Sequence, residues 1–119
     1  HKEINVILIN EPPIIDLIGN NNSAQFLSYL NYQPNGENQY IVLKDPHVVD
    51  KANEKIMLLS LKYENTFVFD INSYLRVEDE ALIIADQDIL YYDDDHLSYQ
   101  GTNLAKNQLK EFIKDIIKK

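Results

Sequence analysis

The sequence contains no cysteine, which excludes disulfide bonds, zinc–thiolate sites and thiol catalysis. Basic residues are also scarce, since 11 Lys and Arg stand against 19 Asp and Glu and give a net charge of −8. Phosphates would repel so acidic a chain, and nucleic acid and anionic membrane surfaces are therefore poor candidate partners. The sequence also lacks an apolar run long enough for a membrane helix, and it shows no signal-peptide pattern.

The composition is that of a globular protein. Hydrophobic residues make up 45% and charged residues 25%, so long-range disorder is not expected. The length of 119 residues suits one compact domain and is too short for two. Because the chain begins with His1 and reaches an apolar run at once, we expect residues 1–119 to be a single domain or part of one, cut from a longer protein.

Short apolar runs alternate with segments of helical periodicity, and this pattern predicts an α/β fold with a parallel sheet. The predicted elements are strands at 5–9, 40–43 and 67–69, extended segments at 82–84 and 89–92, and helices capped by Ser23, Asp45 and Ser98. Two strands, 5–9 and 67–69, have the clearest pattern, and two strands do not make a stable sheet. We therefore expect part of the domain to lie upstream of His1.

The densest group of polar residues is Tyr-Tyr-Asp-Asp-Asp-His-Leu-Ser-Tyr-Gln-Gly at 91–101, on a predicted loop before the last helix. The spacing of Asp93 and His96 can place the carboxylate against one ring nitrogen, which gives the base and the orienting group of a catalytic triad. Two other interpretations stay open. One is a solvated loop that caps the helix. The other is a divalent cation site of Asp93, Asp94 and Asp95, although the spaced carboxylates and central glycine of a calcium loop are absent.

The pattern Asp-x-x-His-Leu-Ser-x-x-Gly at 93–101 closely resembles the last conserved block of SGNH (GDSL-like) hydrolases. More narrowly, it is similar to the SGNH domain attached to membrane acyltransferases of the acyltransferase-3 type, which O-acetylate bacterial surface polysaccharides. In that group an apolar residue and a tyrosine commonly precede the aspartate, as at 90–92. The resemblance covers residues 66–118 well and residues 3–13 loosely.

This resemblance implies the C-terminal portion of a three-layer α/β/α SGNH-type fold with a mainly parallel sheet. It implies that His96 is the catalytic base and that Asp93 is the carboxylate that orients it. Ser98 would cap the last helix, and Gly101 would serve close packing at its first turn. Neither a metal ion nor a cofactor is implied.

The sequence departs from the family where the nucleophile should stand. None of its three glycines is followed by Asp-Ser, and the Gly-x-Asn-Asp block that helps to form the oxyanion hole is also missing. Asn10, at the carboxyl end of the first strand, is the residue in a comparable position, either as an oxyanion donor or as a cap of the turn before Pro12. Tyr91, Tyr92 and Tyr99 flank the candidate site, with core or rim packing expected for at least two of them, and Tyr92 and Tyr99 are the candidate substrate-binding residues.

The resemblance implies a parent protein that transfers an acetyl or similar acyl group to a hydroxyl of a bacterial cell-surface polysaccharide. The acyl donor would arrive through a membrane acyltransferase domain, which places residues 1–119 on the extracytoplasmic side of the inner membrane. With water as acceptor the protein would be a carbohydrate esterase. A chain that has lost its nucleophile would instead be a non-catalytic module that binds a glycan or a partner. Without the serine we expect this chain alone to be inactive, to expose apolar surface and to self-associate.

Overall fold

A computed structural model describes residues 4–33 and 35–118, so His1 lies outside the described residues. The strands are β1 (Val6–Ile9), β2 (Gln39–Val42), β3 (Thr66–Phe69), β4 (Arg76–Val77), β5 (Glu80–Ala85) and β6 (Asp88–Ile89). The helices are α1 (Ser23–Tyr29), α2 (Pro46–Ser60), α3 (Asn72–Leu75) and α4 (Tyr99–Ile117). The described residues thus form a mixed α/β fold, which confirms the fold class at this level.

The strands form two sheets of different kinds. β1 and β3 pair in parallel, with Val6 opposite Thr66 and Ile9 opposite Phe69. The second sheet is antiparallel in the order β2-β5-β4, and β6 also pairs with β5. Because β1 and β3 run in the same direction, the residues that follow them meet at one edge of the pair.

The core is centred on β5. Residues 81–84 are all buried, which explains why the sequence there is continuously apolar rather than alternating. Tyr91, just beyond β6, belongs to the same core and donates a hydrogen bond from its hydroxyl to the carbonyl of Pro13 at 2.8 Å. Burial raises the pKa of the Tyr91 phenol above its usual value. This buried tyrosine joins the segment before the candidate site to the loop that follows β1.

Two predicted helix caps need correction. Asn22, not Ser23, caps α1, because its side-chain oxygen accepts a hydrogen bond from the backbone N–H of Gln25 at 2.9 Å. Asp45 does occupy the N-cap position of α2, but its backbone is left-handed, with φ of 47°, and its side chain makes no capping hydrogen bond. An N-cap residue ordinarily reaches the helix N–H groups from an extended backbone, and Asp45 does not have that conformation.

The last helix agrees with its prediction. α4 spans Tyr99–Ile117, with Ser98 at its N-cap and Lys114 in its last turn, where a cation is favoured by the helix dipole. Its apolar residues Leu104, Leu109 and Phe112 pack against the core. Across the described ranges, no helix has both the length and the apolar character that crossing a membrane requires.

Candidate functional site

The candidate site is the loop at 93–96, between β6 and α4. Backbone contacts close it at both ends, since the N–H of Tyr92 donates to the carbonyl of His96 at 2.8 Å. Tyr91 and Leu97 also form an isolated antiparallel bridge. These contacts make the loop a tight turn anchored on the buried Tyr91.

Ser98 and Gly101 fasten this loop to the start of α4. The Ser98 hydroxyl accepts from the N–H of Gly101 at 3.1 Å and donates to the carbonyl of Ile89. Gly101 is buried, and a Cβ at this position would overlap the carbonyl oxygen of Leu90. The predictions that Ser98 caps the helix and that Gly101 permits close packing are both confirmed. The Ser-x-x-Gly part of the motif therefore holds the backbone in place.

Asp93 organises the loop and contacts the imidazole. Its Oδ1 accepts hydrogen bonds from the backbone N–H groups of Asp95 at 3.1 Å and His96 at 2.8 Å. Both oxygens of the same carboxylate lie 3.0 Å from Nδ1 of His96. The Asp-x-x-His spacing thus brings the carboxylate to one ring nitrogen. Because a carboxylate accepts, the neutral ring carries its proton on Nδ1 and leaves Nε2 free to take one.

The charges around the site also favour contact between the His96 ring and the Asp93 carboxylate. The hydrogen bond and the charge of Asp93, together with the charge of Asp95, raise the pKa of His96 above its ordinary value of 6.5. Burial acts to raise the pKa of Asp93, but hydrogen bonds from the N–H groups of Asp95 and His96 and from the His96 ring outweigh it and lower that pKa. The loop therefore favours an imidazolium beside an ionised Asp93.

The three aspartates of the loop have different surroundings. Asp95 reaches the same ring nitrogen, with its Oδ1 2.8 Å from Nδ1 of His96. Asp94 instead has its carboxylate 3.9 Å from the ammonium of Lys44. A cation site of Asp93, Asp94 and Asp95 is therefore not assembled. The group that does come together is Asp93, Asp95 and His96, whose ligand atoms lie within 4.8 Å of one another, and exposed acidic groups commonly do so without an ion.

The site is open and has no nucleophile among the described residues. The His96 side chain is 72% exposed and that of Asp93 is 25% exposed. None of the five serines, all within the described residues, hydrogen-bonds to His96. The hydroxyls of Ser60 and Ser73 bind Met57 and Asp70, while that of Ser23 is buried without a partner. The geometry thus supplies a base and its orienting group but no serine beside them.

Asn10 lies at the carboxyl edge of the parallel pair, away from any contact with His96. Its Nδ2 donates to Asp70 at 2.7 Å, and its Oδ1 accepts from the N–H of Ile71 at 2.9 Å. The buried amide therefore joins the residues that follow β1 to those that follow β3. It does not cap the turn before Pro12. One of its two amide hydrogens remains available as a donor, so its oxyanion role stays a prediction.

Tyr92 and Tyr99 are both exposed, and neither packs in the core. Of the three tyrosines in the motif segment, Tyr91 is the buried one. The packing interpretation thus applies to Tyr91, while Tyr92 and Tyr99 keep their rings on the surface next to the candidate loop.

Sequence reasoning missed a cleft beside this loop. It has a volume of about 440 Å³ and lies between the start of α1 and the β5–β6 turn. Its lining includes Tyr92, Ser98, Asn22, Gln87 and Gln100. Because these residues come from separate segments of the chain, no local pattern in the sequence indicates the cleft.

Comparison with known proteins adds no further information. No protein-family model, curated protein or solved structure matches the chain.

Proposed function

We propose that residues 1–119 are the C-terminal part of an SGNH-type domain and that the parent protein is an O-acyltransferase. In this proposal His96 is the general base and Asp93 orients it. The complete domain would have three layers and a mainly parallel sheet, to which the parallel pair of β1 and β3 would belong. The observation that supports the proposal best is the approach of both Asp93 oxygens to Nδ1 of His96 at 3.0 Å.

The chemistry that follows needs a serine from outside residues 1–119. Nε2 of His96 takes the proton of the serine hydroxyl as the serine oxygen attacks the carbonyl carbon of the acyl donor. The donor's leaving group departs with that proton and an acyl-serine forms. An acceptor hydroxyl then attacks this ester, gives its proton to His96 and releases the serine, which recovers the proton. Asp93 stabilises the imidazolium present between the two proton transfers.

The acceptor we propose is a sugar hydroxyl of a bacterial cell-surface polysaccharide. The preference for a sugar over water comes from the resemblance of residues 66–118 to the acyltransferase-attached SGNH domains. The exposed rings of Tyr92 and Tyr99 are suited to contact with a sugar, because an aromatic ring offers an apolar face and a polar tip. The acyl donor would be delivered through a membrane domain of the same protein, with this part on the extracytoplasmic side.

Fluorophosphonate labelling of the parent protein, extended upstream of His1 and read by intact mass, tests this proposal. We expect one label on an upstream serine, lost in His96→Ala and kept in His47→Ala. His47 is a suitable control because it is an exposed histidine in the first turn of α2. A wild-type protein that takes no label would contradict the catalytic proposal.

The second candidate is a non-catalytic module that binds a glycan or a partner protein. It is favoured by the absence of any serine hydrogen-bonded to His96 in the described part of the chain. An upstream sequence without a strand followed by Gly-Asp-Ser, together with an unlabelled wild type, would support this alternative.

A further inference from the structure

Two carboxylates reach the same nitrogen of His96. Asp93 places both oxygens 3.0 Å from Nδ1, and Asp95 places Oδ1 at 2.8 Å. The neutral ring has one hydrogen on that nitrogen, and Asp93 is its hydrogen-bond acceptor, while Asp95 lies at ion-pair distance from the same nitrogen without a hydrogen bond to it.

The two aspartates are held differently. Asp93 also accepts two backbone N–H groups, which fix its carboxylate whatever the ring does. The side chain of Asp95 is 54% exposed, and in residues 4–33 and 35–118 the ring of His96 is the one cationic group within ion-pair distance of it. The pKa values of the two carboxyl groups also move in opposite directions. Desolvation and the adjoining Asp93 carboxylate raise the pKa of Asp95, whereas that of Asp93 is lowered.

We propose that Asp95 is a second positioning residue for His96, whose charge holds the ring beside Asp93 and keeps Nδ1 toward the loop when Asp93 is lost. The catalytic consequence of this charge contact rests on the proposed function, while the contact itself does not. A site with one orienting carboxylate fails when that carboxylate is removed. A site with two retains part of its orientation after either single loss and loses it after both.

Asp94 provides a matched control in the same loop. Asp94→Asn removes the same charge as Asp95→Asn, but the Asp94 carboxylate faces Lys44 and does not contact Nδ1. The charges that act on His96 are those of Asp93, Asp95 and, more weakly, Asp94. The difference between the Asp95 and Asp94 variants therefore isolates the direct contact from the general loss of negative charge.

The direct test is a pH titration of His96 in the 119-residue chain, monitored by ¹⁵N NMR of its two ring nitrogens. We expect Asp95→Asn to lower the pKa of His96 more than Asp94→Asn does. Asp93→Asn should keep part of the preference for the Nδ1–H tautomer, and Asp93→Asn/Asp95→Asn should abolish it. An Asp95→Asn variant that titrates like Asp94→Asn would overturn the proposal, as would an Asp93→Asn variant that already equals the double variant.

Asp93→Asn could disturb the loop because Asp93 binds two backbone N–H groups. The asparagine oxygen can still accept those bonds, and backbone amide shifts of 92–97 report whether it does. If they move, the comparison of Asp95→Asn with Asp94→Asn decides alone, because both variants leave Asp93 in place.

Labelling of the upstream-extended protein separates this inference from the proposed function. We expect the double variant to lower the fluorophosphonate labelling rate on the order of 10²-fold, the scale of a general base, and each single variant to lower it less. Asp95→Asn should also shift the pH profile of labelling to lower pH, which a purely structural role would not do. An unlabelled wild type would defeat the proposed function and leave the NMR result standing, whereas a labelled Asp95→Asn variant with an unshifted profile would defeat the role of Asp95.

Discussion

The two sheets differ in how completely they are covered. In the antiparallel sheet Ile84 of β5 is 1% exposed, whereas in the parallel pair Ile9 of β1 is 52% exposed. Parallel strands are ordinarily buried on both faces, and antiparallel sheets more often have one face open to water. Here β5, at the centre of the antiparallel sheet, is buried on both faces, while β2 and β4 beside it expose Val42 and Val77. The parallel pair is the less covered of the two, because every residue of β1 is exposed or half-buried.

The surface beside β1 shows the same difference. Ile4, Val6 and Leu8 line an apolar cleft of about 570 Å³ with Leu59 and Tyr63 from the end of α2 and the segment after it. Val48 and Leu59, which lie at helical spacing on α2, are both exposed. The predicted exposure of apolar surface is present, and the part of the domain proposed to lie upstream would cover it.

The candidate loop belongs to the well-covered part. It is closed by backbone contacts on Tyr91 and Leu97, and α4 holds it through Ser98 and Gly101. The base and its orienting carboxylate are therefore positioned by the core centred on β5. In the proposed function the serine would come from an upstream part of the domain, so one half of the triad would be assembled here without the other.

The largest expected effect is on the free energy of unfolding, and the same substitution in each sheet compares the two directly. Ile84→Ala should lower the free energy of unfolding by about 2–5 kcal/mol, because it leaves a cavity in a filled core. Ile9→Ala, the same change on the parallel pair, should cost less than about 1 kcal/mol, since that side chain is half exposed. Urea unfolding of the 119-residue chain measures both. Equal losses would mean that the two sheets are equally covered in solution.

Gly101→Ala is expected to have the next largest effect. The added methyl group would meet the carbonyl oxygen of Leu90, and the start of α4 would have to move away from the strand segment, at a cost of about 1–3 kcal/mol. Thr102→Ala, at the exposed neighbouring position of the same helix, should change stability by no more than about 0.5 kcal/mol. If the two variants unfold at the same urea concentration, the close approach of Gly101 to Leu90 does not exist in solution.

A smaller effect is expected on self-association through the apolar surface beside β1, which includes Ile4, Val6 and Leu8. Leu59 is exposed on α2 and lines the cleft beside β1, and Leu59→Lys should weaken self-association about tenfold or more, since burying a leucine is worth about 1.5–3 kcal/mol. The substitution lowers the net negative charge, so added repulsion cannot be the cause. Asn107→Lys makes the same charge change at an exposed position of α4 and should leave self-association unchanged. Sedimentation velocity over a concentration series measures both, and a wild type that stays monomeric would contradict the prediction.

Local spacing accounts for what could be predicted from the sequence. β1, β3, the Ser98 cap, the packing role of Gly101 and the Asp93–His96 contact each depend on residues within a few positions of one another. The antiparallel pairing of β2 with β5 and the bond from Asn10 to Asp70 join residues about 40 to 60 positions apart, so no local pattern indicates them. Asn22 and Ser23 are both good cap residues, and only the course of the backbone decides between them.

The smallest expected effect is the pH dependence of stability contributed by His96. Asp93 and Asp95 raise its pKa in the folded chain, so the folded state holds the ring proton more tightly than the unfolded state does. The stabilisation is therefore complete below the unfolded pKa of about 6.5 and is lost as the pH rises through the higher folded pKa. His96→Gln removes this contribution, so the wild type should lose stability relative to the variant across that window.

Urea midpoints measured at pH 5 to 9 test this, with His47→Gln as the control that should follow the wild type. The effect is small because the His96 ring is largely exposed and solvent screens the pair. Parallel curves for wild type and His96→Gln would mean that the loop does not hold the ring against Asp93 and Asp95 in solution, and the candidate site would then lose its orienting contact.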